Sequence, residues 1–401
     1  MKASTRGMMI AVVACAALAS ACSNSSTTAP TTPAGTPSSA SPTAPVTAGP
    51  LDVVRTDTIT LHSIQPDDGV DTVVAFIDSA KETLDIAVYQ MSPTYLPLLE
   101  ALDRAKERGV RIRILLSSTI YPPGSANDNP QYAEELRGMG FDAALSRPEF
   151  SFSHWKVLVA DAGTAAGRAL VCDFNLEVGY FGLDPSYPDE GATRGMSVLV
   201  TEPKDVDMIA ATIDADFPPY KPWPANTRPN LVWSPSDSTC DSVSCASPYP
   251  LEPVGNSREK MLSLIVNADK SLDVYAQALA KPSVLLQPLL DALARGVQVR
   301  IVGNEGGINS DALQQLKDAG AEIVQNPTDP SGDGRVMYIH TKTIIADRGT
   351  GKEVAYVGSI NPFLDESVQT ERELGVLITD AASLKRILAT FERDFVSGTP
   401  A

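Results

Sequence analysis

Two short stretches carry the residues whose types and spacing could do chemistry: His154-Trp-Lys156-Val-Leu-Val-Ala-Asp161 and His340-Thr-Lys342-Thr-Ile-Ile-Ala-Asp347. In each, a lysine stands two positions after a histidine and an aspartate five after the lysine. The residues between are apolar and largely β-branched. Each stretch therefore reads as a strand, and alternation places histidine and lysine on one face. An imidazole titrates near neutrality and can serve as nucleophile or acid. A fixed ammonium beside it suits chemistry on a phosphate group. The chain has three histidines, and two of them hold the same place in the same pattern, 186 residues apart. His62 is unrepeated and reads as an ordinary surface or packing residue.

A second signature follows each aspartate after ten residues: Cys172-Asp173-Phe174-Asn175 and Gly358-Ser359-Ile360-Asn361. Doubled and matched in spacing, the pattern resembles the phospholipase D superfamily, whose members carry His-x-Lys-x4-Asp followed by Gly-Ser-x-Asn in each of two halves. The resemblance covers about residues 55–398. It implies two pseudo-symmetric α/β domains, each a mixed sheet flanked by helices, packed face to face. It also implies a phosphodiesterase that works without a metal or other cofactor. One histidine would attack phosphorus to form a phosphohistidine, and the other would protonate the leaving oxygen and then deprotonate water. Two lysines and two asparagines would hold the non-bridging oxygens. One half supplies one of each, so the halves must meet.

The resemblance places His154, His340, Lys156 and Lys342 at the reaction centre, with Asp161 and Asp347 as lesser, orienting members of the motif. Asn175, Asn361 and Ser359 would surround the substrate. Glu373 occupies a place where family members often carry an acid that orients a histidine. The two copies differ. The second has Gly358, Ser359 and Glu373, which gives His340 the better-equipped surroundings. The first has Cys172 and Asp173, and aligning Arg194 with Arg372 puts Gly195 where Glu373 stands. Asp189 or Glu190 could replace that acid. The first-half histidine, His154, is the family's usual nucleophile. Asp173 would weaken anion binding unless it faces away or pairs with Lys156.

The elements that must position these residues repeat as well. In the first half, 70–77 has helical spacing, 83–89 reads as a strand, 95–108 as a helix closed by Gly109, and 110–116 as a strand. A short helix (132–138), strands at 141–145, 169–172 and 196–200, and a helix at 206–217 follow. The second half runs helix 260–268, strand 271–275, helix 284–295, strand 297–302, helix 312–319, strand 321–324, strand 374–378 and helix 381–395. Residues 162–167 and 348–352 read as hairpin turns. Periodicity fails from 221 to 255, the expected inter-domain linker between domains at 55–220 and 256–398.

At 401 residues, 43% hydrophobic and 20% charged, the chain can bury two cores. A net charge of −17 and a pI near 4.6 argue against a broad polyanion-binding surface. The N-terminus carries Lys2 and Arg6, then an apolar run from Met8 to Ala19 too short to span a bilayer. Residues 1–21 read as an export signal. Ala19-Ser20-Ala21-Cys22 resembles a bacterial lipoprotein cleavage box, with Ala19 where leucine is usual, so Cys22 is the expected lipidation site. Residues 23–50 are almost wholly Ser, Thr, Pro, Ala and Gly without charge, and 22–54 reads as a disordered tether. The extended reach of residues 23–50 is on the order of 90 Å. Cys240 and Cys245 bracket a short loop and form a candidate disulfide, Cys172 is left over, and no cysteine spacing fits zinc.

Export and anchoring favour a monomeric extracytoplasmic enzyme, held at a bacterial membrane or secreted, that hydrolyses or transfers phospholipid head groups. The alternatives are an extracytoplasmic nuclease of the same superfamily, for which no basic cluster is evident, and a catalytically decayed surface binding protein.

Overall fold

The computed structural model describes residues 46–122, 125–182, 192–236, 255–332 and 334–401. The first half contributes β1 (Ile59–Gln65), α1 (Asp71–Asp78), β2 (Thr83–Val88), α2 (Leu96–Glu107), β3 (Arg111–Leu116), α3 (Asn129–Gly138), β4 (Asp142–Leu145), β5 (Lys156–Ala160), β6 (Arg168–Cys172), β7 (Thr193–Val200) and α4 (Pro203–Asp216). The second contributes β8 (Leu231–Ser234), α5 (Ser257–Val266), β9 (Ser271–Ala276), α6 (Leu286–Ala294), β10 (Gln298–Gly303), α7 (Ser310–Asp318), β11 (Glu322–Gln325), β12 (Tyr338–Ile339), β13 (Lys342–Ala346), β14 (Val354–Gly358), α8 (Asp365–Gln369), β15 (Glu373–Ile378), α9 (Ala381–Ser397) and β16 (Thr399–Pro400).

The first sheet runs β1-β7-β6-β5-β2-β3-β4 and the second β16-β11-β10-β9-β13-β14-β15-β8. Both are mixed. The helix-connected strands pair in parallel (β2 with β3, β9 with β10), and the hairpin strands pair antiparallel (β5 with β6, β13 with β14). Gly109 and Gly296 end α2 and α6 at φ of 85° and 88°, a left-handed turn that favours glycine. The outer face of the first sheet packs on α1–α3 and that of the second on α5–α8. The inner faces meet in one shared core with α4 and α9, in which Trp155, Val157, Met196 and Ile339 lie with Trp233, Val357, Leu374 and Phe391. Two pseudo-symmetric α/β domains therefore face each other across a common apolar layer.

Two expectations change. The packed chain begins before Arg55: Val46 donates to Asp291 at 2.9 Å, Val54 to Asn230 at 2.8 Å, and Leu51 and Val53 pack on the second core. The end of the expected tether is thus docked. The expected linker supplies β8, whose Leu231–Ser234 pairs with β15 and buries Trp233. Strand β1 pairs with β7 and completes the first sheet. The export signal, Cys22, the Cys240–Cys245 pair and the Asp189–Glu190 substitution fall outside the described residues. Among the described residues no helix is long and apolar enough to cross a membrane.

Candidate active site

The strands of the motif begin at the lysines, not at the histidines as alternation implies. Each histidine precedes its strand and is held by the other domain. The N–H groups of His154 and Trp155 both donate to the carbonyl of Arg372, at 2.9 and 3.0 Å. Those of His340 and Thr341 donate to the carbonyl of Arg194, at 3.1 and 2.9 Å. The β12 segment before His340 pairs in parallel with Thr193 and Arg194 of β7, and Ser153 forms the matching bridge to Arg372. The two arginines are anchored across the interface in turn. Arg194 pairs with Asp394 of α9 at 2.7 Å, and Arg372 with Asp216 of α4 at 2.9 Å. Both pairs are buried, and removing one partner of such a pair costs roughly 3–5 kcal/mol.

This crossing gathers the side chains. Lys156 and Lys342 are wholly buried, His340 is 4% exposed, and His154 keeps 14% of its side chain in reach of solvent. Tyr89 meets the His154 ring edge-on at 4.9 Å, and Tyr180 meets His340 at 5.0 Å. Lys156 donates to the His154 carbonyl. The Lys342 ammonium lies 3.0 Å from His340 Nδ1. Asn175 and Asn361 are both buried. Asn175 Nδ2 reaches the Tyr180 hydroxyl at 3.3 Å, while its Oδ1 is buried without a partner.

Glu373 serves the opposite histidine from the one expected. Its Oε2 lies 2.8 Å from His154 Nδ1, and its Oε1 accepts from Ser367. It therefore equips the first-half histidine from the second domain, because β15 is the strand against which His154 docks. His340 has Gly195 at the equivalent place. A Cβ on Gly195 would lie 2.7 Å from Phe174 Cδ1 and 3.0 Å from Asp173 Oδ1. Asp173 fills that space: its Oδ1 accepts from the Met196 N–H at 2.8 Å, as the Ser359 hydroxyl accepts from Leu374 at 3.2 Å. Asp173 faces Lys342 more strongly than Lys156. Burial pushes its carboxyl up to about 6 against the pull of Lys342.

Other motif members lie elsewhere. Asp161 and Asp347 sit at the far ends of their strands, about 16 Å from the lysines at ~3.3 Å per residue. They adopt φ of 54° and 62°. Asp161 accepts the N–H groups of Lys81, Glu82 and Thr83, and Asp347 those of Asp269 and Lys270. They tie turns together and do not join the reaction centre. The Ser359 hydroxyl is spent on the Leu374 backbone and does not face a substrate. Cys172 is a packing exchange. A Cβ on Gly358 or Gly375 would collide with the opposite backbone or the Tyr356 ring, whereas Leu170, Cys172 and Ser197 fill the corresponding positions of the first domain.

The electrostatics follow from burial. Burial and the Lys156 ammonium push His154 down to about 4, with Glu373 opposing. Burial likewise pushes Lys156 down to about 7, and Lys342 and His340 well below their usual ranges. At neutral pH the His154 imidazole is uncharged, so Nδ1–H donates to Glu373 and the lone pair is left on Nε2. His154, Glu371 and Glu373 also place three ligand-type atoms within 4.8 Å of one another, the group of that kind among the described residues. Sequence reading passed over Glu371, Tyr89 and Tyr180. Glu371 is signalled by its position two residues before Glu373, whereas the tyrosines follow no pattern.

No curated protein matches the chain. The phosphatidylserine synthase of Haemophilus influenzae superposes with a TM-score of 0.58 at 11% identity, covering 87% of this chain and 88% of that one. The polyphosphate kinase of Porphyromonas gingivalis superposes at 0.54 with 14% identity, over 83% of this chain, which spans 50% of the kinase. A phospholipase D family member, Nuc from Salmonella typhimurium, is 22% identical over 36% of this chain and 90% of its own, with a TM-score of 0.30. The family model described as "Cardiolipin synthase, PLD-like domain" matches residues 73–179 and 261–395, one segment in each half and together more than half of the chain. With both segments matched and the two halves folded alike, the chain belongs to the phospholipase D-like family.

Proposed function

We propose that the protein is a phosphodiesterase that hydrolyses phospholipid head groups, or transfers them to an alcohol, through a phosphohistidine. The observation that carries this is the meeting of two His-Lys pairs, one from each half and buried but for the solvent-facing part of His154, with Glu373 on His154. His154 Nε2 attacks phosphorus, while Nδ1–H stays on Glu373 and stabilises the ring as it gains charge. The P–N bond forms as the ester P–O bond breaks, and His340 gives its proton to the leaving oxygen. An arriving phosphodiester anion favours the imidazolium that this step needs. Water or an alcohol then attacks phosphorus, returns its proton to His340 and releases His154. Lys156, Lys342, Asn175 and Asn361 take the non-bridging oxygens, where charge accumulates.

A phospholipid substrate is favoured over nucleic acid by the names of the matching family model and of the phosphatidylserine synthase that shares the fold. The surface agrees: Arg113, which could have lined a basic edge, is paired with Asp85 at 2.8 Å and Asp214 at 3.0 Å. Placement outside the cytoplasm, with Cys22 lipidated, completes the reading. Cys22→Ala should move the protein from the membrane to the soluble fraction.

The test is a panel of phospholipid vesicles and single-stranded DNA, with EDTA present, plus trapping of the covalent intermediate. Head-group release without metal and acid-labile label lost in His154→Ala are expected. Cleavage of DNA alone would replace the lipid reading, and label retained on His154→Ala would reverse the two histidines. Loss of activity with EDTA would assign His154, Glu371 and Glu373 to a metal.

A further inference from the structure

Two buried aspartates stand behind the histidines of the site. The Arg372 carbonyl accepts from His154 and Trp155, and the Arg372 N–H donates to the Phe152 carbonyl at 2.9 Å. The guanidinium of the same arginine meets Asp216 at 2.9 Å. On the other side the Arg194 carbonyl accepts from His340 and Thr341, and its guanidinium meets Asp394. Asp216 ends α4 of the first domain, which carries His154, and Asp394 lies on α9 of the second, which carries His340. Each domain therefore grips the other's arginine twice, by the backbone at its histidine and by the side chain of its aspartate. Both aspartates are buried and engaged by their arginines.

The two grips are unequal. Arg194 meets Asp394 at two points, through Nε at 2.7 Å and Nη2 at 2.9 Å. Its Nη1 donates to the Gln65 carbonyl at 2.7 Å and to Asp67 at 2.6 Å. The Tyr275 hydroxyl donates to the same Asp394 carboxylate at 2.6 Å. A two-point bond fixes an arginine in direction as well as in place. Arg372 has one contact with Asp216 and otherwise lies against rings, 4.5 Å from the Phe150 centroid and 4.8 Å from that of Trp223. Trp223 Nε1–H donates to Asp216 in turn. The support of His154 thus hangs on fewer directional bonds than that of His340.

We propose that Asp216 and Asp394 are positioning residues, each placing one histidine through the other domain's arginine, and that they govern different steps. Asp216 and Arg372 set the approach of His154 Nε2 to phosphorus. Asp394 and Arg194 set the reach of His340 to the leaving oxygen and then to water. This rests on the phosphodiester reading above. A displacement of about 1 Å at a reacting group costs about 10²-fold in rate, so bonds made well behind the histidines matter to the chemistry.

Single turnover of bis-(para-nitrophenyl) phosphate by excess full-length protein separates the steps. Nitrophenolate leaves as the anion, so the P–N bond forms and the P–O bond breaks without a proton from His340. Water attack still requires His340 to take a proton as the P–N bond breaks. Nitrophenolate release reports the first step, and decay of the quenched phosphoenzyme reports the second. Asp216→Asn and Asp394→Asn each leave a buried guanidinium undercompensated and threaten folding. Trp223→Phe and Tyr275→Phe, which remove one N–H and one O–H from the aspartates, are the milder pair. Trp223→Phe should slow nitrophenolate release about tenfold and leave phosphoenzyme decay near wild type. Tyr275→Phe should keep nitrophenolate release and slow phosphoenzyme decay about threefold, the smaller effect because more bonds remain. Both steps slowed alike in both variants, neither step slowed, or the two effects exchanged overturns the proposal. A wild type that releases no nitrophenolate and forms no phosphoenzyme overturns instead the phosphodiester reading beneath it.

Discussion

Replacing Glu373 by glutamine tests how far one buried carboxylate determines which histidine attacks. The contact is 2.8 Å long and the residue is wholly buried. A hydrogen bond to a charged group in such a place contributes about 1.5–3 kcal/mol. At about 1.36 kcal/mol per decade, kcat/KM should fall roughly 10- to 150-fold. Glutamine preserves shape and an acceptor, so folding should survive, checked by an unchanged thermal midpoint. The pH profile adds a second reading. Glu373 opposes the depression of both His154 and Lys156, which stand at about 4 and about 7. The attacking imidazole is lost as pH falls through the first value, and the ammonium is lost as pH rises through the second. Removing Glu373 lowers both, so both limbs of the kcat/KM profile should move to lower pH together. The assay is head-group release from vesicles with rapid-quench detection of the phosphorylated enzyme. A kcat/KM within about threefold of wild type, which is under 1 kcal/mol, with unmoved limbs would refute the pairing of Glu373 with His154.

Lys156→Met and Lys342→Met each remove a donor to the phosphate oxygens, and each should lower kcat by about 10²–10³-fold in the same assay. Asp161→Ala should leave kcat near wild type while lowering stability by about 1.5–3 kcal/mol in urea titration, since its carboxylate binds a turn and not the substrate. Gly195→Ala should destabilise the fold by about 1–3 kcal/mol, because the new Cβ meets the Phe174 ring and Asp173. A thermal midpoint unchanged in Gly195→Ala would show that this space is slack.

The doubled His-Lys-Asp pattern and the alternation of strands and helices were legible in sequence because each rests on local periodicity. β2, β3, β9 and β10 are short apolar runs bounded by turn residues. What was not legible depends on contacts between the halves. Glu373 stands in the second copy of the motif, and no local pattern says that its strand docks against the first histidine. Cys172 reads as a lost glycine until Leu170 and Ser197 are set against Tyr356 and Gly375. β8 is four residues in a Pro- and Ser-rich stretch, and β1 carries His62 and Ser63 in mid-strand, so neither shows a clean period. The motif histidines were misplaced for a related reason: the chain around them pairs with the other domain and not with its own sheet.

Each histidine leans on the opposite domain's arginine carbonyl, and this limits the history open to such a chain. A half-length ancestor could complete the site only as a symmetric pair, and every substitution would then appear on both sides. A glycine at position 195 would have stripped the carboxylate from both histidines at once. Joining the copies into one chain lifted that constraint. Gly195 and Asp173 could settle on one side while Glu371 and Glu373 stayed on the other, and two equal histidines became free to divide the labour of attack and protonation.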